Sequence, residues 1–97
     1  MILDCDFNFG RKLTDEDTVQ IEGRNYRFRS TQRQVDYAPH RAAFFISHDG
    51  KHEYVVKFRN SVYEYSYRRR NSLQSTRIDR IPDIDPYWDS VTGWRLK

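Results

Sequence analysis

The residues best equipped for chemistry in this chain are its arginines. Arg27 and Arg29 alternate with Tyr26 and Phe28, and Arg24 precedes them. Arg33 and Arg41 flank a polar stretch, and Arg68, Arg69 and Arg70 run together, followed by Arg77 and Arg80. A guanidinium is a planar fork of donors that meets phosphate through two bonds at once and stacks on flat rings. Several of them on one surface neutralise successive phosphates of a polyanion and release its counterions. Bases also need flat groups to lie on, and Tyr37 and Phe44 are the candidates. The expected nucleic-acid-binding set is therefore Arg24, Arg27, Arg29, Arg33, Arg41, Arg68, Arg69 and Arg70, with Tyr37 and Phe44. No RNP-type motif, GxxG loop or helix-turn-helix pattern accompanies it.

Other constellations carry less. His40, His48 and His52 invite a metal or acid–base reading, but the strand register derived below sends His48 and His52 to opposite faces. The single cysteine, Cys5, sits in an alternating apolar set; one cysteine makes neither an intramolecular disulfide nor a Cys-based zinc site. Neither metal nor cofactor is expected. A metal-free ribonuclease needs a base, an acid and a cation at the phosphate. Glu53 or Glu64, one histidine and an arginine supply the types, yet no motif fixes the set and both glutamates gain cross-strand partners. The chain thus reads as a binding protein, with the ribonuclease as the one enzymatic alternative. Asp4 and Asp6, and Asp15 to Asp17, lack the calcium-loop pattern. Asp83, Asp85 and Asp89 beside Tyr87 and Trp88 form an acidic–aromatic group, and Tyr87, Trp88 and Asp89 are protein-contact candidates.

Composition sets the frame for these residues. Ninety-seven residues make one domain, 1–97. A chain that is 32% charged approaches the disordered range, but 15% aromatics, with seven Tyr and six Phe, argue for a folded unit. The net charge of +3 hides an asymmetry: residues 24–80 hold thirteen Arg or Lys against five Asp or Glu, while residues 1–23 hold two against six. A basic segment of that strength attracts anions. No basic, apolar leader opens the chain and no run of about 20 apolar residues is present, so a cytoplasmic protein without a membrane partner is expected.

The elements follow from period-two alternation. Leu3, Cys5, Phe7 and Phe9 share one side of a first strand. Residues 11–17 read as a loop. A hairpin centred on Gly23-Arg24, or alternatively on Arg24-Asn25, sorts Val19, Ile21, Tyr26 and Phe28 from Gln20, Arg27 and Arg29; the first centring pairs Ile21 with Tyr26. Residues 30–41, with Pro39, read as the longest interior loop. Asp49-Gly50 and Asn60-Ser61 turn a three-stranded meander that pairs Phe45 with Tyr54, Val56 with Tyr65 and Phe58 with Tyr63. Tyr63, Tyr65 and Tyr67 match apolar partners and read as core. On the other side Lys57 meets Glu64, and Glu53 meets Arg68. Residues 69–97 read as irregular, with a short helix from Pro86 to Thr92 started by Asp85-Pro86 and stopped by Gly93. Its Trp88 and Trp94 would cover the sheet.

The expectation is a mainly β domain: a small antiparallel sheet or partly open barrel of five to six strands with a short C-terminal helix. Its expected role is to bind an anionic partner, RNA or single-stranded nucleic acid first. The alternative is a small protein inhibitor of a nucleic-acid-processing enzyme or toxin. In general character the chain is similar to small accessory proteins of phages and mobile elements, a likeness of composition that covers no particular residues.

Overall fold

The computed structural model describes residues 11–35 and 38–97, with side chains for 12–30 and 41–97. The expected first strand over Leu3 to Phe9, and Tyr37, lie outside the described residues. Among the described residues nine strands form two antiparallel sheets: β1 (Arg11–Lys12), β2 (Thr18–Ile21), β3 (Arg24–Val35), β4 (Ala38–Ser47), β5 (His52–Arg59), β6 (Val62–Arg69), β7 (Thr76–Ile78), β8 (Pro86–Asp89) and β9 (Gly93–Leu96). The larger sheet has the order β2-β3-β4-β5-β6-β7, and the smaller the order β1-β9-β8. The larger sheet is an open meander, each strand pairing with its neighbours in sequence.

The central meander has the expected register. Phe45 pairs with Tyr54 and Ala43 with Val56, and Val56 pairs with Tyr65, Phe58 with Tyr63 and Glu53 with Arg68. Asn60 and Ser61 form its second turn with φ of 54° and 63°, the left-handed geometry of a two-residue hairpin. The first turn reaches the expected register by another route. It runs Ser47–Gly50, closed by a 2.8 Å bond from the Gly50 N–H to the Ser47 carbonyl, and only Gly50 takes a positive φ.

Four expectations about local structure are corrected. The β2–β3 turn is centred on Glu22-Gly23, so Ile21 pairs with Arg24 and Val19 with Tyr26. Gly23 takes the second place of a turn with both φ positive (51° and 80°), rather than the first place of the other hairpin type. Asp83 Oδ2 accepts the Glu22 N–H at 2.7 Å and holds that turn from across the molecule. Residues 30–35 and 38–41, expected within a loop over 30–41, are strand. β3 and β4 continue as a two-stranded ribbon, with Gln34 opposite Pro39 and Val35 opposite Ala38. This ribbon outruns β5, whose pairing with β4 ends at Arg41 and Phe58.

The stretch 69–97 is not irregular, and its short C-terminal helix is absent. Pro86 to Asp89 and Gly93 to Leu96 form a hairpin with Trp88 opposite Trp94. Asp89 Oδ1 accepts the Val91 and Thr92 N–H groups at 2.7 and 3.1 Å, which tightens a three-residue loop. Gly93, at φ 93°, supplies the left-handed residue that closes such loops. Asp85-Pro86 signals a helix start only if the apolar residues after it recur at helical spacing; here they alternate.

Both sheets turn their apolar faces inward. Val19, Ile21, Tyr26, Phe28, Ala43, Phe45, Tyr54 and Val56 from the larger sheet meet Leu13, Ile81 and Trp94. Aromatic contacts tie the layers: Trp94 lies edge-on to Tyr63 at 6.4 Å and to Trp88 at 5.6 Å. The Trp88 N–H donates to the Tyr63 hydroxyl at 2.9 Å. Burial first, then the nearby Glu22 carboxylate, pushes the Tyr54 hydroxyl up to about 12.

Two outcomes follow. Ser61 is exposed at positive φ, and Ser61→Gly relieves left-handed strain at the cost of some unfolded-state entropy. The variant gains about 0.5–1 kcal/mol in urea denaturation. The raised Tyr54 value means its neutral form is favoured by folding, so this contribution is intact below the ordinary tyrosine range and is lost as pH climbs through about 12. Tyr54→Phe therefore flattens the decline of stability with pH above the ordinary tyrosine value near 10, measured by denaturant midpoints across that range.

Candidate functional site

With the apolar side chains of β3 to β6 turned inward, the alternate residues form the outer face. Strand register places them in rows. One row runs Arg29, Phe44, Val55, Ser66 and Arg77 across β3 to β7. The next runs Thr18, Arg27, Ile46, Glu53 and Arg68 across β2 to β6. A third is carried by the turns: the His48 N–H donates to the Asn25 carbonyl at 3.1 Å, and the Arg70 N–H to the Lys51 carbonyl at 2.9 Å. Cross-strand neighbours stand about 4.5–5.5 Å apart. The face thus has an apolar middle of Ala42, Phe44, Ile46 and Val55 between cationic flanks. Ala42 and Val55 are buried, and Phe44 and Ile46 are half-buried.

At one end of this face Arg27, Arg29 and Arg70 surround a concavity of about 400 Å³ completed by Ile46, Ser47 and His48. Among the described residues, no carboxylate lines it. The three arginines are exposed, and among the described residues none of their guanidinium groups forms an ion pair. A second concavity of about 770 Å³ lies beside it and shares Arg70; Gly50, Lys51, His52, Arg69 and Asn71 complete its lining.

The carboxylates of the outer face lie elsewhere. Glu53 is buried, and its Oε1 takes the Arg68 Nε–H and approaches Arg68 Nη2, both at 3.2 Å. Glu64 meets Arg77 at 3.9 Å where both are exposed, a pair of little energetic weight. Asp49 accepts the Ser47 hydroxyl at 2.5 Å and the Lys51 N–H at 2.9 Å, and those bonds, in that order, hold its carboxyl below the usual range.

The sequence-derived residues separate into groups. Arg27, Arg29 and Arg70 converge, with Phe44 one strand from Arg29. Arg69 faces the neighbouring concavity. Arg68 is on the outer face but is held by Glu53. Arg24 and Arg41 belong to the inward-facing parity: Arg24 Nη1 reaches the Tyr26 hydroxyl at 3.5 Å, and the Arg41 guanidinium lies 5.0 Å from the Trp88 ring and 6.0 Å from Phe58. Arg33 is on the ribbon, its side chain outside the described set. Of the protein-contact candidates, Trp88 packs on Trp94 and Arg41, Asp89 holds its own turn, and Tyr87 lies 5.7 Å from the Lys97 ammonium.

His48 and Lys51 are absent from the sequence-derived set and line the concavities. The β3–β4 pairing, hidden when residues 30–41 are read as a loop, is the signal for His48, whereas Lys51 follows from continuing the expected β5–β6 register to Arg70. His52 lines the second concavity, its Nδ1 2.5 Å from the Tyr67 hydroxyl. Among the described residues no group of His, Cys, Asp and Glu could hold a metal ion, and no helix is long and apolar enough to cross a membrane. Compared with protein-family models, curated proteins and solved structures, the chain matches none.

The Glu53–Arg68 pair yields one outcome. Glu53→Gln keeps the shape but leaves a half-buried guanidinium without its counter-charge. Stability falls by about 1–3 kcal/mol in urea denaturation, and the loss shrinks when Arg68→Met is combined with it.

Proposed function

We propose that this protein binds single-stranded nucleic acid, RNA in first place, on the outer face of its larger sheet. The observation that carries the reading is the convergence of Arg27, Arg29 and Arg70 on a concavity where, among the described residues, no carboxylate lines the wall and none of the three is spent on an ion pair. Like charges brought together repel, and no described carboxylate pairs with them to offset that cost. A polyanion does. Phosphates of a bound strand accept the guanidinium donors, and the half-buried Phe44 beside Arg29 offers a flat surface to a base. The flanking cations and apolar middle suit a flexible strand with splayed bases better than a duplex whose bases are stacked inside.

The reading is one of binding rather than catalysis. A general base and acid must both reach the reacting oxygen. Here Glu53 is engaged by Arg68, and His52 Nδ1 is engaged by the Tyr67 hydroxyl.

The test is fluorescence anisotropy with labelled oligouridylate and oligothymidylate at several salt concentrations. Affinity falls as salt rises, by about 0.7 log units per log unit of salt for each phosphate contacted. Arg27→Ala with Arg29→Ala weakens binding about tenfold or more and lowers that slope by about 1.4. Tighter binding of the uridylate assigns RNA. Binding that ignores salt, or that survives the double substitution, removes the proposal. A stoichiometric, nuclease-resistant protein recovered from a lysate, with no oligonucleotide affinity, replaces it with the inhibitor reading.

A further inference from the structure

The proposed interface does not stop at Arg70. Resting on the nucleic-acid reading above, we infer that the bound strand passes over the Ser47–Gly50 turn, its phosphates gripped on both sides: by Arg27 and Arg29 in one concavity, by Lys51 and Arg69 in the other, and by Arg70 between.

Three observations carry this. The two concavities share Arg70, so a ligand filling one is in reach of the other. Among the described residues neither is lined by a carboxylate, and Arg69, Arg70 and Lys51 are exposed. The turn between them is fixed rather than loose. The Ser47 side chain is buried, accepts the Lys51 and His52 N–H groups at 3.2 and 3.0 Å, and donates to Asp49. Asp49, the one acid on that turn, keeps its negative charge while it accepts the Ser47 hydroxyl and the Lys51 N–H, so it sets the turn's shape and directs the phosphates to either side of the tip. The Arg70 N–H bonded to the Lys51 carbonyl joins the second wall to the first.

The arrangement selects for length. A mononucleotide fills one concavity and meets only part of the charge. A strand of several consecutive phosphates meets both. A duplex of that length is stiff and does not bend over the turn into two pockets.

The experiment is a length series of oligouridylates, from the dinucleotide to about ten nucleotides, titrated against the wild-type chain and two double variants. Affinity climbs with length until both concavities are occupied and then levels. Lys51→Ala with Arg69→Ala weakens the longest oligonucleotide about tenfold and lowers its salt slope by about 1.4, yet leaves the dinucleotide unchanged. Lys51→Arg with Arg69→Lys, which keeps the charge, retains wild-type affinity and confirms that the effect is not one of folding. If the long oligonucleotide is indifferent to the alanine pair while Arg27→Ala with Arg29→Ala still weakens it, the track is wrong and the nucleic-acid reading stands. If no oligonucleotide of any length binds, the reading itself fails. A duplex of equal charge that binds as tightly as the single strand also overturns the track.

Discussion

Side chains on a strand alternate between faces, and in this protein that rule fixes nearly everything else. Phe45 and Val56 are wholly buried at the centre of the larger sheet. Once they are drawn inward, Phe44, Ile46, Val55 and Lys57 must face outward. The same holds on the neighbouring strands, where Tyr26 and Phe28 inside require Arg27 and Arg29 outside. Register then does the rest: pairing Phe28 with Phe45 sets Arg29 beside Phe44 and Arg27 beside Ile46. A slip of one residue would bury the arginines and expose the aromatics. The cationic face is therefore held by the same aromatic packing that makes the core.

That packing needs a second layer, since a sheet with one wet apolar face has no core. The layer comes from the chain's last third. Ile81 is fully buried and Trp94 nearly so, and the β8–β9 hairpin sets Trp88 against Trp94, whose indole lies edge-on to Tyr63 of β6. Aromatic pairs in tilted or edge-on geometry add about 0.5–1.5 kcal/mol each beyond the area they bury. Arg41 joins this seam from the base of the ribbon. Its flat guanidinium lies near both Trp88 and Phe58, while its Nε and the Trp94 Nε1 are buried without an acceptor among the described residues. Two unmet donors cost stability, and the cation–ring contacts offset part of that loss.

How much of this could be read in the sequence depended on whether local chemistry left one answer. Asp49-Gly50 and Asn60-Ser61 each fit one register, because both flanking strands alternate strongly and opposite charges fall together at Glu53 and Arg68. The meander was legible for that reason. Gly23 was ambiguous: a glycine suits the second place of one hairpin turn and the first of another, and both keep the apolar residues on one side. The faces were therefore legible there but the pairs were not. The ribbon over 30–41 was illegible because neither of its strands has an apolar face, so alternation gives no sign. The β8–β9 hairpin was obscured by Asp85-Pro86 and Gly93, which serve a helix or a hairpin equally well. What separates the two is that Trp88 and Trp94, six apart, face each other across three loop residues. Arg41 is the instructive miss at the site. The register pairing Phe45 with Tyr54 already sets Arg41 opposite Phe58, on the inward side, so its place among the surface cations could have been rejected from sequence.

The charge pattern of the outer face carries the functional argument further than its total charge does. Two of its cations, Arg68 and Arg77, stand opposite glutamates on adjoining strands, as a solubilising surface would arrange them. If solubility were the whole purpose, Arg27, Arg29 and Arg70 would have acidic neighbours too. Instead their row partners are Thr18, Phe44 and Ile46, and two acids of neighbouring turns are taken up locally: Asp17 accepts the Thr14 N–H, and Asp49 the Ser47 hydroxyl and the Lys51 N–H. Apolar side chains beside the free cations lower the local dielectric and strengthen their pull on an arriving anion. Among the described residues, attraction is left unmet at one corner of this face and met at the others.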